Sequence, residues 1–198
     1  MVKLTVITGP MFSGKSEELI RRLKRFQYGK EMIICFKPRI DNRFDVDGIA
    51  AKQLDPEKKH FQMTENFPAH SVEHPGEVRL KLSSNHFSVI AFDEAQFFGD
   101  WFPGLINSLL DKYKKTDRKI TILVAGLDLD AWRRPFGTMP ALMAMADEVV
   151  KVTAVCFSCG SEANLTQKTG GSKSQIEVGS GDIYEARCRA CHTIPDIP

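Results

Sequence analysis

The 198-residue sequence has no apolar run approaching the roughly 20 residues that cross a bilayer, which excludes a helical membrane span on sequence grounds. It also lacks any long block of lysine or arginine, and a formal net charge of +2 with 26% charged residues leaves no electrostatic footprint for nucleic acid. Internal repeats and heptads are missing, so neither a solenoid nor a coiled coil is expected. No cleavable leader is visible either: Met1–Val6 runs straight into an apolar segment and a glycine-containing loop, and the expected location is the cytoplasm. A chain of this length buries one good core and has room for a smaller appendage.

Cysteine is scarce and odd in number, at five. Four of the five stand in two Cys-x-x-Cys pairs, Cys156/Cys159 and Cys188/Cys191. In a reducing compartment this pattern reads as a metal site rather than a disulfide framework, and four thiolates complete the tetrahedron of a structural Zn²⁺. The intervening Gly160–Arg187 would then be a closed lasso tethered at both ends. Its first part, Gly160–Ser180, is dominated by Gly, Ser, Thr, Gln and Lys and is expected to form a mobile loop. His192, beside Cys191, is a substitute ligand in principle, but an exposed tail histidine is the simpler reading. Cys35, within Met32–Phe36, reads as a buried core thiol without a function.

What is present in full is a phosphate-binding loop. Leu4–Thr8 is an apolar strand that feeds into Gly9, Pro10, Met11, Phe12, Ser13, Gly14, Lys15 and Ser16, the pattern G-x-x-x-x-G-K-[ST]. The glycines let backbone N–H groups face phosphate oxygens, Lys15 adds a point charge near the β- and γ-phosphates, and the Ser16 hydroxyl is a Mg²⁺ ligand. Leu19, Ile20, Leu23 and Phe26 then share one helical face, so the loop opens a helix whose N-terminus attracts anions. Tyr28-Gly29-Lys30 ends that helix with a glycine cap.

A second nucleotide signal is the buried strand Phe87–Phe92 followed by Asp93 and Glu94. Asp93 at the strand end is positioned to hold Mg²⁺ with Ser16, and Glu94 to take a proton from the attacking hydroxyl or water. Asp93, Glu94, Ala95 and Gln96 join the loop as the nucleotide-binding set. Strands over Lys3–Thr8, Met32–Phe36, Ser88–Phe92, Ile120–Ala125 and Val149–Val155 alternate with helical patterns, among them Trp101–Tyr113, and predict a parallel α/β sheet covered on both faces. The polar span from about Arg39 to Pro75 has weak periodicity and reads as loop or irregular edge structure. Arg133 and Arg134 are candidates to neutralise phosphates or are simply solvated, and Asp41 and Arg43 reach the Mg²⁺ shell or form a turn salt bridge. These residues admit a nucleoside kinase, a P-loop ATPase whose zinc ribbon binds nucleic acid, or a nucleotide-binding regulator without catalysis.

Gly9–Ser16, Asp93–Phe98 (Asp-Glu-Ala-Gln-Phe-Phe), Gly126-Leu127-Asp128, Pro135-Phe136-Gly137 and the two cysteine pairs together closely resemble the type II, zinc-containing thymidine kinases, from about Val2 to His192. The resemblance implies an α/β P-loop NTPase (RecA-like) sheet flanked by helices over residues 1–150. A small zinc-ribbon and lasso domain would occupy residues 151–198. It implies ATP- and Mg²⁺-dependent phosphoryl transfer to the 5′-hydroxyl of thymidine or deoxyuridine, a homotetramer, and feedback inhibition by thymidine triphosphate. By motif, Glu94 becomes the general base. Met11, Phe97, Leu127 and Phe136 line the base pocket, with Thr166, Ile176, Val178, Gly179 and Tyr184 on the closing lasso. Two positions depart from the family pattern: Ala131 stands where an aromatic is common, with Trp132 beside it, and Ser180 replaces the second of two glycines.

Overall fold

The computed structural model describes residues 1–40, 48–55, 60–171, 174–175 and 183–195; Asp41, Arg43, Ile176, Val178, Gly179 and Ser180 lie outside them. The amino-terminal elements are β1 (Val2–Thr8), α1 (Lys15–Tyr28), β2 (Ile33–Pro38), β3 (Gly48–Asp55), β4 (His60–Pro68), β5 (His70–Val72) and α2 (Pro75–Ser83). Then come β6 (Val89–Phe92), α3 (Trp101–Lys114), β7 (Ile120–Gly126), α4 (Met139–Met145) and β8 (Glu148–Lys151). A six-stranded sheet runs in the order β5-β2-β6-β7-β1-β8, and all its neighbouring pairs are parallel.

The strands read as nearly unbroken apolar runs because both faces are covered. On one face, Leu4, Val6, Ile34, Phe36, Ile90, Phe92, Ile120, Ile122 and Val124 pack against Val78 and Leu82 of α2, Phe102, Leu105, Ile106 and Leu109 of α3 and Leu142 of α4. The opposite face offers the alternate positions Ile7, Cys35, Val89, Ala91, Leu123 and Ala125 to Leu19, Ile20 and Leu23 of α1. Each large side chain so buried contributes roughly 1.5–3 kcal/mol. The first face is dominated by aromatics: Phe92 lies 5.2 Å from Phe36, 4.9 Å from Phe102 and 5.9 Å from Phe98, centroid to centroid.

Several sequence expectations are corrected. Within the span from Arg39 to Pro75 the described residues are mostly strand rather than loop: β3 and β4 form an antiparallel hairpin, and β5 adds the edge strand to the sheet. Ile49 and Phe67 carry this hairpin onto the α1 face, and the buried Lys37 donates from Nζ to Gly48 O at 2.9 Å. Val149–Val155 is split, with β8 closing the main sheet and β9 (Ala154–Val155) beginning a separate pairing. Helix α1 does end at Tyr28 with Gly29 as its C-cap, in a Schellman motif whose left-handed residue is Lys30 (φ 58°) while Gly29 keeps φ −74°. Its two closing bonds run from Lys30 N–H to Gln27 O (2.9 Å) and Glu31 N–H to Phe26 O (3.1 Å).

Beyond β9 come β10 (Glu162–Ala163), β11 (Leu165–Lys168) and β12 (Tyr184–Arg187), paired antiparallel as β9–β10 and β11–β12. The expected mobile loop is therefore strand as far as Lys168. Its polar side chains Thr166, Gln167 and Lys168 are buried, and each has a hydrogen-bond partner there.

Candidate active site and cysteine centre

The carboxyl ends of β1, β7 and β6 converge, with β7 between the other two. Gly9 begins the loop after β1 with φ 149°, and a Cβ there would stand 2.2 Å from Val152 O, so no other residue fits. The loop then turns through Phe12 in the left-handed region (φ 64°), a conformation that costs a non-glycine residue roughly 1–2 kcal/mol. Ser13 Oγ and Lys15 Nζ both donate to Pro10 O, at 2.8 and 2.6 Å, which folds the loop over its own carbonyl. Helix α1 starts at Lys15, and its first turn carries Glu17 and Glu18. Arg21 and then Arg22 hold the Glu18 carboxyl well below the usual carboxylate range, at about 2, against a partial burial that opposes the shift.

The predicted partnership of the two nucleotide motifs is present: Ser16 Oγ donates to Asp93 Oδ2 at 3.0 Å, and Asp93 is buried. These oxygens form a pair of hard donors at the mouth of the loop. Glu94 follows with φ 50° and ψ 43°, an αL conformation that turns it away from the line of β6 and leaves it half-buried. Gln96 orients it, donating from Nε2 to Glu94 Oε2 at 2.5 Å while its Oε1 accepts the Leu127 N–H at 2.9 Å. This close approach requires Gly126, where a Cβ would sit 2.7 Å from both Gln96 Oε1 and Met139 Sδ. Gln96 thus ties the Asp-Glu motif after β6 to the Gly-Leu-Asp motif after β7, a link the sequence did not disclose.

Of the residues assigned to the base pocket, Phe97 and Phe136 meet edge-on with centroids 5.7 Å apart, and Leu127 and Phe136 are buried. Thr166 on β11 reaches the phosphate loop, its Oγ1 accepting the Met11 N–H at 3.0 Å. Tyr184 on β12 lies with Trp132 around Lys168 Nζ, each ring centroid 5.8 Å from the ammonium, which also donates to Ser174 O at 2.9 Å. A cavity of about 450 Å³ opens beside Phe97, lined also by Pro38, Arg39, Ile40, Val72, Glu73 and Phe98, at the carboxyl ends of β2 and β5. Of the expected base-pocket residues, that cavity takes in Phe97 alone.

The turn from Leu127 to Phe136 is organised by two buried acids. Asp128 pairs with Lys151 at 2.5 Å. Asp130 Oδ1 accepts the N–H groups of Trp132 and Arg134, both at 2.9 Å, and Oδ2 accepts Gln175 Nε2 at 2.7 Å. Arg133 is neither solvated nor aimed at the phosphate loop: its Nε donates to His192 Nδ1 (3.0 Å) and its Nη2 to His192 O (2.8 Å). His192 is correspondingly not an exposed tail residue but 5% exposed, and burial together with the Arg133 charge pushes its imidazole below the ordinary histidine range. Its Nδ1 accepts from Arg133 and its Nε2 lies 3.1 Å from Thr166 O, so neither nitrogen is left for a metal.

The cysteines do converge. The sulfurs of Cys156, Cys159, Cys188 and Cys191 all lie within 4.8 Å of one another, with Cys159 and Cys188 at 3.7 Å. A tetrahedral Zn²⁺ with Zn–S bonds of about 2.3 Å needs S–S edges of about 3.8 Å, so this donor set fits zinc. The thiols do not titrate alike. Backbone N–H groups of Cys188, Cys159 and Ser158 overcome desolvation and draw Cys156 down to about 6, whereas bonds with Cys159 and Cys188 push Cys191 up. Four sulfurs crowded together cannot all ionise without a compensating cation.

Comparisons with known proteins agree with this arrangement. The family model described as thymidine kinase matches residues 2–192. A thymidine kinase of Bdellovibrio bacteriovorus is 40% identical over 97% of this chain and 85% of its own length, and one of Mesomycoplasma hyopneumoniae strain 7448 is 37% identical over 96% and 95%. The resemblance read from the motifs is thereby confirmed over nearly the full length, and the chain belongs to the thymidine kinase family.

Proposed function

We propose that this protein phosphorylates the 5′-hydroxyl of thymidine, or of deoxyuridine, from ATP, yielding dTMP and ADP for DNA precursor synthesis by salvage. The observation that carries the mechanism is the 3.0 Å contact between Ser16 of the loop and Asp93 at the end of β6. It marks the place where a phosphate cradle meets a carboxylate, and there Ser16 and Asp93 would hold a Mg²⁺ whose charge offsets that of the phosphates. The backbone from Gly9 to Ser16 binds the phosphates and Lys15 exchanges its bond to Pro10 O for one to the β- and γ-oxygens. Glu94, held by Gln96, accepts the 5′-hydroxyl proton as that oxygen bonds to the γ-phosphorus. The bond from the γ-phosphorus to the bridging oxygen breaks, and its electron pair leaves on ADP. Phosphoryl transfer asks mainly for such positioning and charge neutralisation.

Met11, Phe97, Leu127, Phe136, Thr166 and Tyr184 would contact the nucleoside. The same role for Ile176, Val178 and Gly179 rests on the motif resemblance. The reading also includes a nucleotide-binding part over 1–150 and a zinc-binding part over 151–198, a homotetramer, feedback inhibition by thymidine triphosphate and a cytoplasmic setting, which suits a reduced four-cysteine centre. No helix among the described residues is long and apolar enough to cross a membrane.

The test is transfer from labelled ATP and Mg²⁺ to thymidine, deoxyuridine, deoxycytidine, deoxyadenosine, deoxyguanosine or water, with and without single-stranded DNA. Thymidine-dependent formation of its 5′-monophosphate is the expected result. Phosphate release to water alone, faster with DNA, would replace the kinase with an ATPase.

A further inference from the structure

The small core at the cysteine centre consists of buried Ala154, Cys156, Ala163 and Ala186, with Cys188, Cys191 and Phe12 packed on it. Phe12 is the large side chain of that group, and it comes from the phosphate loop. Its ring centroid stands 6.2 Å from that of Phe157, which lies inside the first Cys-x-x-Cys turn. A second, polar connection reaches the neighbouring loop residue. His192 follows Cys191 directly, and its N–H is bonded to Cys188 O at 3.0 Å. Arg133 fixes its ring, the ring Nε2 meets Thr166 O at 3.1 Å, and Thr166 Oγ1 takes the Met11 N–H at 3.0 Å. Both connections start within the cysteine turns and end on adjacent residues of the phosphate cradle. The packing seat of Phe12 and the bond that orients Met11 N–H therefore depend on how the cysteine turns are held.

We propose that metal at the cysteines and nucleotide at the phosphate loop stabilise each other, with Phe12, Thr166, His192 and Arg133 as positioning residues that carry the coupling. This rests on the reading of Gly9–Ser16 as a nucleotide site and of the four cysteines as a zinc site. The physical reason is mutual restriction. The left-handed Phe12 and the direction of the Met11 N–H are held by contacts outside the loop, and those contacts persist only while the two cysteine turns keep their places. Whichever ligand binds first orders groups that the second needs, and the gain is reciprocal by thermodynamic necessity.

The experiment uses the full chain, with ADP as the nucleotide probe and no nucleoside present. Zinc affinity is measured by competition with a chromophoric chelator, with and without saturating ADP, and ADP affinity by calorimetry on zinc-loaded and zinc-stripped protein. ADP should raise zinc affinity by a factor within the range of about 5–150 typical of coupled sites, and zinc should raise ADP affinity by the same factor. Equal zinc affinities with and without ADP, in a chain that binds ADP, overturn the proposal. Failure of the zinc-loaded chain to bind ADP removes the nucleotide-site reading itself, and the proposal with it. Should stripping unfold the chain, the zinc-loaded variants decide. Thr166→Val and His192→Phe keep all four sulfurs and should bind ADP at least about fivefold more weakly with zinc content unchanged, while Thr166→Ser, which keeps the hydroxyl, restores affinity. ADP binding by Thr166→Val at the level of the unaltered chain overturns the coupling.

Discussion

The main sheet and the cysteine centre are held by different physics. Around the sheet, Phe36, Phe92, Phe102, Leu105 and Ile106 are fully or almost fully buried and interlock across strands and helices. Around the cysteines the buried side chains are three alanines and Cys156, joined by Phe12 from elsewhere in the chain. On the nearby strand β11, one leucine, Leu165, is buried beside three polar side chains, Thr166, Gln167 and Lys168. The first region excludes water by apolar area. The second has too little such area and relies on hydrogen bonds and a site for a cross-linking ion. The lesson is that residues with similar burial differ in what they require: one side needs only volume, the other needs every partner in place.

Three measurements break or sharpen that contrast. The largest effect is expected where the sheet supplies chemistry: Glu94→Ala should lower turnover by about 10²–10⁴ while ATP affinity is kept, and near-normal turnover would take the general base away from the sheet edge. Next comes a paired comparison of the two regions. Phe92→Ala should lower the free energy of urea unfolding by about 3–5 kcal/mol with zinc content unchanged. Cys159→Ser should lower zinc content and thermal stability while leaving helical circular dichroism largely in place, because the sheet core does not include the cysteine turns. Loss of the whole fold in Cys159→Ser would erase the distinction.

The smallest effect is electrostatic. Glu18 has a folded-state pKa of about 2, below its ordinary value of 4.5, so its contribution is present above about pH 4.5 and is lost as pH falls toward 2. As it pairs with arginines at the surface, Glu18→Gln should cost no more than about 1 kcal/mol at pH 7. The difference from the unaltered chain should vanish near pH 2, and a constant gap across that range would show that the ion pair is not its source.

The sheet was legible because its strands carry apolar residues on both faces, and the phosphate loop because Gly9, Gly14, Lys15 and Ser16 stand at fixed spacing. The four cysteines were legible for the same reason. Contacts between distant polar residues were not. No local pattern says that Gln96 bridges Glu94 and the Leu127 N–H, that Asp130 gathers Trp132, Arg134 and Gln175, or that His192 is clamped by Arg133. Burial of Gln167 and Lys168 was hidden likewise, since their composition alone suggests solvent and only their partners make the interior acceptable. The hairpin β3–β4 went unread because the apolar Phe61, Met63 and Phe67 of β4 alternate with polar residues over one strand only and lie within a stretch rich in Asp, Lys and His; among the described side chains, Ile49 and Phe67 join it to the core.

Cys35 sits on the α1 face of the sheet, 2% exposed, and desolvation, aided by the negative charge of Asp93, pushes its thiol far above the ordinary cysteine range. At neutral pH it is neither ionised nor reachable, so a colorimetric thiol reagent added to the native protein is blind to it. The same reagent can take up only sulfurs of the centre, where Cys159, Cys188 and Cys191 are at least partly exposed and Cys156 is as buried as Cys35. Its stoichiometry therefore reports empty centres directly, zero per chain when metal is bound and three when it is gone, a fourth following as the cysteine turns loosen around Cys156 and a fifth signalling that the sheet itself has opened.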